Sequence, residues 1–490
     1  MEPTALPAMP LRLGRRCPIA VAAIFALASV SEAQNAAFDT NAPAAGSKAQ
    51  TFLYGVDAGV AESDNVTLVS TDKVSQTMAV ADADFDIRQR SRLLDLDAKG
   101  DFSYLDYLQG AYGGQLIGRF DGSAHVALIP DRLIWVVEDN FGQAALDPYT
   151  PVTPTNLENV NYVSTGPDFA LRFGASSYLN ASARYARAQY ETSPFNSNRL
   201  LGNLAWGYQL SAQSSVSLNG DTERVMFQNT ALNSDFDRSS GFVRYEVKGA
   251  RTDLSVDLGA TTINQNAGTI TVNQNGTPTT IDQNHGATTG GLAKLELSRK
   301  LSSAAKLTFS LGRELTDAST SFSSLQSGAI GAVGTAPAAQ TSDNYTSQYA
   351  SARWQYQRNR TTIAVSGRWE RDEYDGIPGL DNSRSGGEFS VARRLTRALT
   401  AELLGRYYKT DYLHGLIAAE NGSSNFDDEM VGAALTWRHG RALEIKLRCE
   451  HSARLTAGIY GYGENRAVLT VGYRPTRQPE SDPGALSPGT

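Results

Sequence analysis

The 490-residue chain has only two cysteines, Cys17 and Cys449. No disulfide framework is open to it, so an exported protein of this size must take its rigidity from elsewhere. Long apolar runs are equally scarce. Beyond the N-terminal stretch Pro18–Val30, none approaches the ~20 residues that a helix needs to cross a bilayer, which excludes a helical membrane protein. It does not exclude a membrane β-barrel, whose strands hide half their side chains from lipid. The five histidines (His125, His285, His414, His439 and His451) show no metal-ligand spacing. G-x-S-x-G, a P-loop, G-x-G-x-x-G and H-E-x-x-H are all missing, so neither enzyme chemistry nor a cofactor is expected. His414, beside Asp411 and Glu420, is the one loop-end candidate for a barrel hydrolase, and a solvated loop histidine is the better reading. Net charge is -7 and no basic tract carries interleaved aromatics, which argues against nucleic acid.

What is present begins with an export signal. Arg12, Arg15 and Arg16 precede the apolar run, and Ser31 and Ala33 follow it with small-x-small spacing. This predicts a secretory signal peptide over residues 1–33, cleaved after Ala33. Residues 34–50 read as a flexible lead-in, and the Pro-rich 475–490 as a disordered tail. Mean hydropathy is -0.32, a value that by itself suggests a polar, soluble protein.

From Thr51 the pattern repeats with period two. In "ALEIKLRCEHSARL", Leu443, Ile445, Leu447, Cys449 and Ala453 alternate with Glu444, Lys446, Arg448, Glu450, Ser452 and Arg454. Successive side chains leave a strand on opposite faces, so this stretch is a two-faced strand. The same order recurs in "LLDLDAKGDFSY", "GFVRYEVKG" and "TTIAVSGRWERD". Nine short polar turns, among them "IPDRL" (129–133), "RNR" (358–360) and "RHGRA" (438–442), alternate with ten longer segments rich in Asn, Asp, Gly and Thr. Short turns at one end and long loops at the other mark an outer-membrane barrel. The expected fold is an all-β, antiparallel up-and-down transmembrane β-barrel over 51–474, of about 18–20 strands, with short periplasmic turns and long extracellular loops. Its place is the outer membrane of a Gram-negative bacterium, and its first partner is the lipid.

Lipid then meets the apolar faces, because an Arg or Lys at midplane costs about 2–4 kcal/mol. The charged faces line the interior: Asp95, Asp97, Lys99, Arg244, Glu246, Lys248, Arg368, Glu370, Glu444, Lys446, Arg448, Glu450 and Arg454. They read equally well as rings that guide a polar solute and as cross-strand ion pairs that stiffen the wall. Tyr104, Tyr107, Trp135, Trp354, Tyr356, Tyr407, Trp437 and Tyr473 sit near strand ends, as interface girdles do. Three short repeats starting at Ile263, Val272 and Ile281 suggest a polar hairpin rather than a calcium-binding roll, and 321–343 reads as a low-complexity loop. With no aromatic at the chain end, "AVLTVGY" (467–473) is the candidate assembly signal. No subunit interface is marked.

Several stretches resemble a known group. "GVDAGVAESDNV" (55–66), "LDYLQGAYGGQLIGRFDG" (105–122), the segment 139–174 with its "DPYTPVTPTN" and "STGP", and "YETSPFNSN" (190–198) are similar to the EpsL-like outer-membrane β-barrels encoded in exopolysaccharide operons. The resemblance covers about 55–200 and extends beyond it by architecture alone. It implies a role in secreting or assembling a surface polysaccharide, with the polysaccharide and its export machinery as partners, and it brings no catalytic residues. A general diffusion porin, and a surface structural or adhesive barrel with a closed lumen, are the alternatives.

Overall fold

The structure, a computed structural model, describes residues 49–266, 268–274, 277–283, 286–326, 341–414, 425–456 and 460–475. The segments expected as signal peptide, most of the lead-in and most of the tail, and Glu420, lie outside them. The strands are β1 (Ala49–Ser63), β2 (Gln76–Arg90), β3 (Leu94–Tyr107), β4 (Gln115–Ile129), β5 (Leu133–Ala145), β6 (Leu157–Phe173), β7 (Ser177–Tyr190), β8 (Ser197–Ser211), β9 (Ser214–Phe227), β10 (Phe236–Lys248) and β11 (Thr252–Gln265). They continue with β12 (Gly268–Gln274), β13 (Thr277–Gln283), β14 (Ala287–Lys300), β15 (Ala305–Asp317), β16 (Asn344–Arg358), β17 (Thr361–Tyr374), β18 (Asn382–Arg394), β19 (Leu399–Tyr412), β20 (Phe426–His439), β21 (Leu443–Leu455) and β22 (Tyr462–Tyr473). One α-helix, α1 (Ala318–Gln326), follows β15.

Twenty of these strands form one antiparallel sheet in chain order. It closes where Val56–Ser63 of β1 pairs with Arg466–Tyr473 of β22. Closure removes both edges, and with them the unpaired backbone groups that hydrocarbon cannot solvate. At Gly59 a Cβ would stand 2.0 Å from the Leu469 carbonyl oxygen, so the seam closes tightly there. β12 and β13 form a separate hairpin in the loop after β11, as the short repeats suggest.

Nine connections are two to four residues long and ten are six or more, alternating round the ring. Four of the short ones turn through a residue at positive φ, Asp131, Gly174, Asn359 and Gly440, a conformation that Gly, Asn and Asp tolerate. Strands of about fourteen residues, tilted about 40°, span roughly 35 Å. The apolar band of such barrels is about 25 Å tall. The excess places the loop ends of the strands beyond it.

Side-chain exposure separates the faces. Val60, Leu200, Leu204, Leu218, Leu258, Val431 and Leu447 are exposed, all on one side of their strands. An exposed apolar surface this continuous is far more than a soluble monomer carries, and it is a lipid-facing belt. Cys449 is exposed on that side. Tyr104, Trp135, Tyr407, Trp437 and Tyr473 stand on it as well, and Trp354 stacks on Tyr356 at 5.9 Å. Tyr107 does not. It is buried on the opposite face with Met78, Val80 and Leu105, because the loop end of the barrel is packed inside with its own small cores. Another expectation changes at 321–343. Its first part is α1, capped at its N-terminus by Asp317, whose carboxylate accepts from the Thr320 hydroxyl (2.6 Å) and amide (3.4 Å).

The wall parts at its loop end in two places: β4 and β5 pair only up to Phe120–Phe141 although they run on to Gln115 and Ala145, and β14 parts from β15. β11 and β14 pair from Asn264–Ala287 down to Thr252–Arg299, whereas β14 and β15 pair only from Ala293–Arg313 to Lys300–Lys306. Above Arg313, β15 stays paired to β16 but leaves β14. It leans into the barrel and carries α1 to the far wall, where the helix touches β4, β5 and β6.

Candidate functional site: the barrel interior

The inner face is set by strand alternation, and its chemistry by ion pairs. Many pairs run along one strand, between residues two apart on the same face: Arg368–Glu370 (2.5 Å), Arg448–Glu450 (2.7 Å) and Arg466–Glu464 (3.0 Å). Others join register partners on adjacent strands, as Arg244–Asp257 (2.7 Å) and Arg454–Asp428 (2.7 Å) do. Glu444 pairs with Arg438 at 2.9 Å. Asp95 pairs with Arg90, and Asp97 with Lys99 at 3.5 Å. Among the described residues Glu246, Lys248 and Lys446 make no ion pair within 4 Å. The sequence-predicted set is therefore spread round the wall in small groups and is not gathered at one point.

A cluster that sequence reasoning missed holds α1 in place. Arg199 (β8) and Arg238 (β10) meet Glu223 (β9) and Asp317 (end of β15). Arg199 donates to Glu223 (3.0 Å), to both Asp317 oxygens (3.2 and 2.6 Å) and to Thr320 (3.1 Å). Arg238 donates to Asp317 (3.3 Å), Thr320 (3.1 Å) and Glu223. Arg199 is wholly buried, and its guanidinium lies 6.0 Å from the Tyr162 ring centroid. Two cations face two anions with every group hydrogen-bonded, the arrangement in which buried charge is tolerated. Phe322 on the helix is buried among Ala144, Val160, Ala186, Tyr190 and Phe195. Tyr190 and Ser319 hydroxyls meet at 2.9 Å, and Ser321 and Tyr345 at 2.5 Å.

Neighbouring loops close in over the same mouth. In the 146–156 loop, Asn156 binds the Asp147 amide and carbonyl (2.8 and 2.9 Å) and the Pro151 carbonyl (3.1 Å). This shapes the loop so that Tyr149 reaches across to donate to the Gly379 carbonyl at 2.9 Å. Arg454 donates to the Tyr149 carbonyl at 3.2 Å. The second loop, 375–381, is tied to Asp343, whose carboxylate accepts from the Gly376 amide (2.6 Å) and the Asn344 amide (2.9 Å). Burial pushes the Asp343 carboxyl up to about 7, against the pull of those amides. His414 stands 3.2 Å from Asp381 and is largely exposed, while Asp411 pairs with Lys409 at 2.9 Å.

Beneath α1 lies a cavity of about 540 Å³. The walls of β2 to β6 supply Arg90, Asp95, Asp97, Lys99, Asp121, Ser123, His125, Glu138, Asn140 and Tyr162, and Ser323 and Ser324 of α1 roof it. Asp95, Asp97 and Lys99 are the members of the predicted set that it brings together. Asp121 and Asn140 could have been found, since each falls on the inward beat of its strand. Ser323 and Ser324 could not, because they arrive from the far wall.

Fold and interior define a class, the outer-membrane β-barrel of Gram-negative bacteria. No family model matches the chain, and no curated protein does. Among solved structures it is similar to the FrpB iron transporter from Neisseria meningitidis (F3-3 variant), at 10% identity over 88% of this chain and 82% of that one, with a TM-score of 0.46. It is also similar to the copper transporter OprC, at 12% identity over 87% and 83%, TM-score 0.42. A loop-deletion mutant of OmpT, an outer membrane protein of Vibrio cholerae, matches at 8% identity over 87% and 99%, TM-score 0.31. At these values the barrel assignment rests on the closed ladder and the apolar belt.

Proposed function

We propose that the chain forms a non-enzymatic outer-membrane channel for hydrophilic solutes, contributing to the export and assembly of an exopolysaccharide. The observation that carries the channel reading is the interior. Charges of both signs face it in hydrogen-bonded pairs, and a polar cavity persists beneath the inward-folded helix. Mixed signs favour weak charge selectivity. The polysaccharide role is supported by the resemblance over 55–200, whose "DPYTPVTPTN" segment builds the loop that reaches over the mouth to Gly379. A general diffusion porin is the alternative for the same interior. A closed surface barrel is favoured by one observation, the meeting of Tyr149 with Gly379 and of α1 with β4–β6 across the mouth.

Conductance of the refolded protein in planar bilayers tests the channel. Discrete steps in salt support it, and a silent membrane that stays silent when the Arg199 cluster is broken points to the closed barrel. A deletion strain that loses surface polysaccharide yet keeps small-solute uptake separates export from the porin.

A further inference from the structure

We infer that the lipid-facing foot of β14–β18 is a docking site for an anionic phospholipid of the periplasmic leaflet. The inference rests on the barrel's place in the membrane and not on what passes through it. Charge is divided along the barrel axis. The ten long connections, with β12 and β13 included, carry ten Asp and Glu and a single base, Lys73, whereas the nine short turns carry six arginines and a single acid, Asp131. Within that basic rim one sector is wholly of one sign. Residues 297–308, 355–363 and 391–401, at the feet of β14 to β19, hold eight Arg and Lys and no Asp or Glu.

Three of the eight point outward. Arg299, Arg358 and Arg393 fall on the same beat as Leu297, Trp354 and Val391, the belt side of their strands, and all three are exposed. Among the described residues none of them makes an ion pair or a side-chain hydrogen bond. The ladder fixes their spacing. Arg358 and Arg393 are both register partners of Thr361, one on either side of β17, which sets their backbones about 10 Å apart. Arg299 lies opposite Leu307, and Leu307 opposite Trp354.

A second, independent observation is the shelf between them. Trp354 and Tyr356 share the outward face of β16 and stack at 5.9 Å. Aromatic rings on a lipid-facing surface settle at headgroup level. Thr361 immediately precedes Ile363 and Val365, the first outward apolar residues of β17, so the arginines stand just below the hydrocarbon, where phosphates lie. Guanidiniums with no protein anion, set round an aromatic shelf, match a phosphate-bearing headgroup, which they grip with paired N–H groups while the acyl chains lie along the belt. The row is on the flank of the barrel, where a soluble acidic protein would have to displace lipid.

Native mass spectrometry of the full-length refolded protein in micelles tests the site, with cardiolipin, phosphatidylglycerol and phosphatidylethanolamine as probes. We expect both anionic lipids to be retained at least about tenfold more than the zwitterionic one. In the triple variant Arg299→Gln/Arg358→Gln/Arg393→Gln that preference falls about tenfold, and in Arg92→Gln/Arg132→Gln/Arg441→Gln, which removes equal charge from other turns of the same rim, it stays. Equal retention of the three lipids by the unaltered protein overturns the proposal. So does an unchanged preference in the first variant, or an equal loss in the second, which would assign the effect to the rim's charge at large. Heat-modifiable mobility establishes that each variant is folded, and all six side chains are exposed. If the first triple variant fails to fold, Arg358→Gln/Arg393→Gln decides alone.

Discussion

Two groups of charge lie on either side of Tyr162. In the Arg199–Glu223–Arg238–Asp317 cluster two cations meet two anions, every arm is hydrogen-bonded, and solvent is excluded. In the cavity under α1 the carboxylates outnumber the cations and Asn140 Oδ1 has no partner. Only a matched set can be buried without large loss. Matching therefore distinguishes the part of the interior that holds the helix from the part that stays open. One anchors chain to chain; the other leaves its surplus carboxylates at an open cavity.

The comparison breaks first at Arg199. Arg199→Ala leaves Glu223 and Asp317 buried with half their partners, a change that costs about 3–5 kcal/mol. We expect a clear fall in the urea midpoint and a larger single-channel conductance as α1 leaves β4–β6; an unaltered conductance would mean that other contacts seat the helix. A smaller effect follows pH at Asp343. Its folded carboxyl titrates at about 7, above the ordinary value near 4. The folded loop therefore binds a proton that the unfolded chain releases. That contribution is full below about pH 4 and is lost as pH rises through about 7. The melting temperature should thus drop between pH 5 and pH 8, and Asp343→Asn should flatten the slope; a parallel slope in the variant would assign the effect elsewhere. Smaller still, and opposite in sign to Arg199→Ala, is Asp121→Asn. Removing an unmatched charge should raise stability by up to about 1 kcal/mol in the absence of any ligand, and a loss in denaturant titration would show that Asp121 is a structural group after all. Last comes the exposed Arg224–Asp237 pair at 3.8 Å. Arg224→Ala should leave the midpoint within error, because such pairs contribute at most about 1 kcal/mol.

Period two is a local property, which is why so much of the wall was legible. Which residues share a face with Arg368 or Arg448 follows from counting, and the turns at Asp131, Asn359 and Gly440 carry the residue types that positive φ requires. Alternation with two classes of connection points to about 18–20 strands, and the sheet has twenty. The mouth was not legible. Arg199 and Asp317 are 118 residues apart and Tyr149 and Gly379 are 230; no short-range pattern encodes such meetings. Its place at a strand end marks Tyr107 for a girdle, yet at the loop end of the barrel inward positions are filled by packing rather than by water. The helix was missed because "ASTSFSSLQ" has little helical character of its own, and its stability comes from the Asp317 cap and from burial of Phe322.

The parting of β15 from β14 above Arg313 has a mechanical meaning. A fully laddered hoop resists dilation, since any increase in girth must rupture a column of hydrogen bonds. Here the upper rim is slit like a cuff. Girth can be gained at that slit by swinging the β15–β16 hairpin outward, against the Lys294–Glu314 clasp (2.6 Å) and the Asp317 anchor, while the hoop beneath it stays whole.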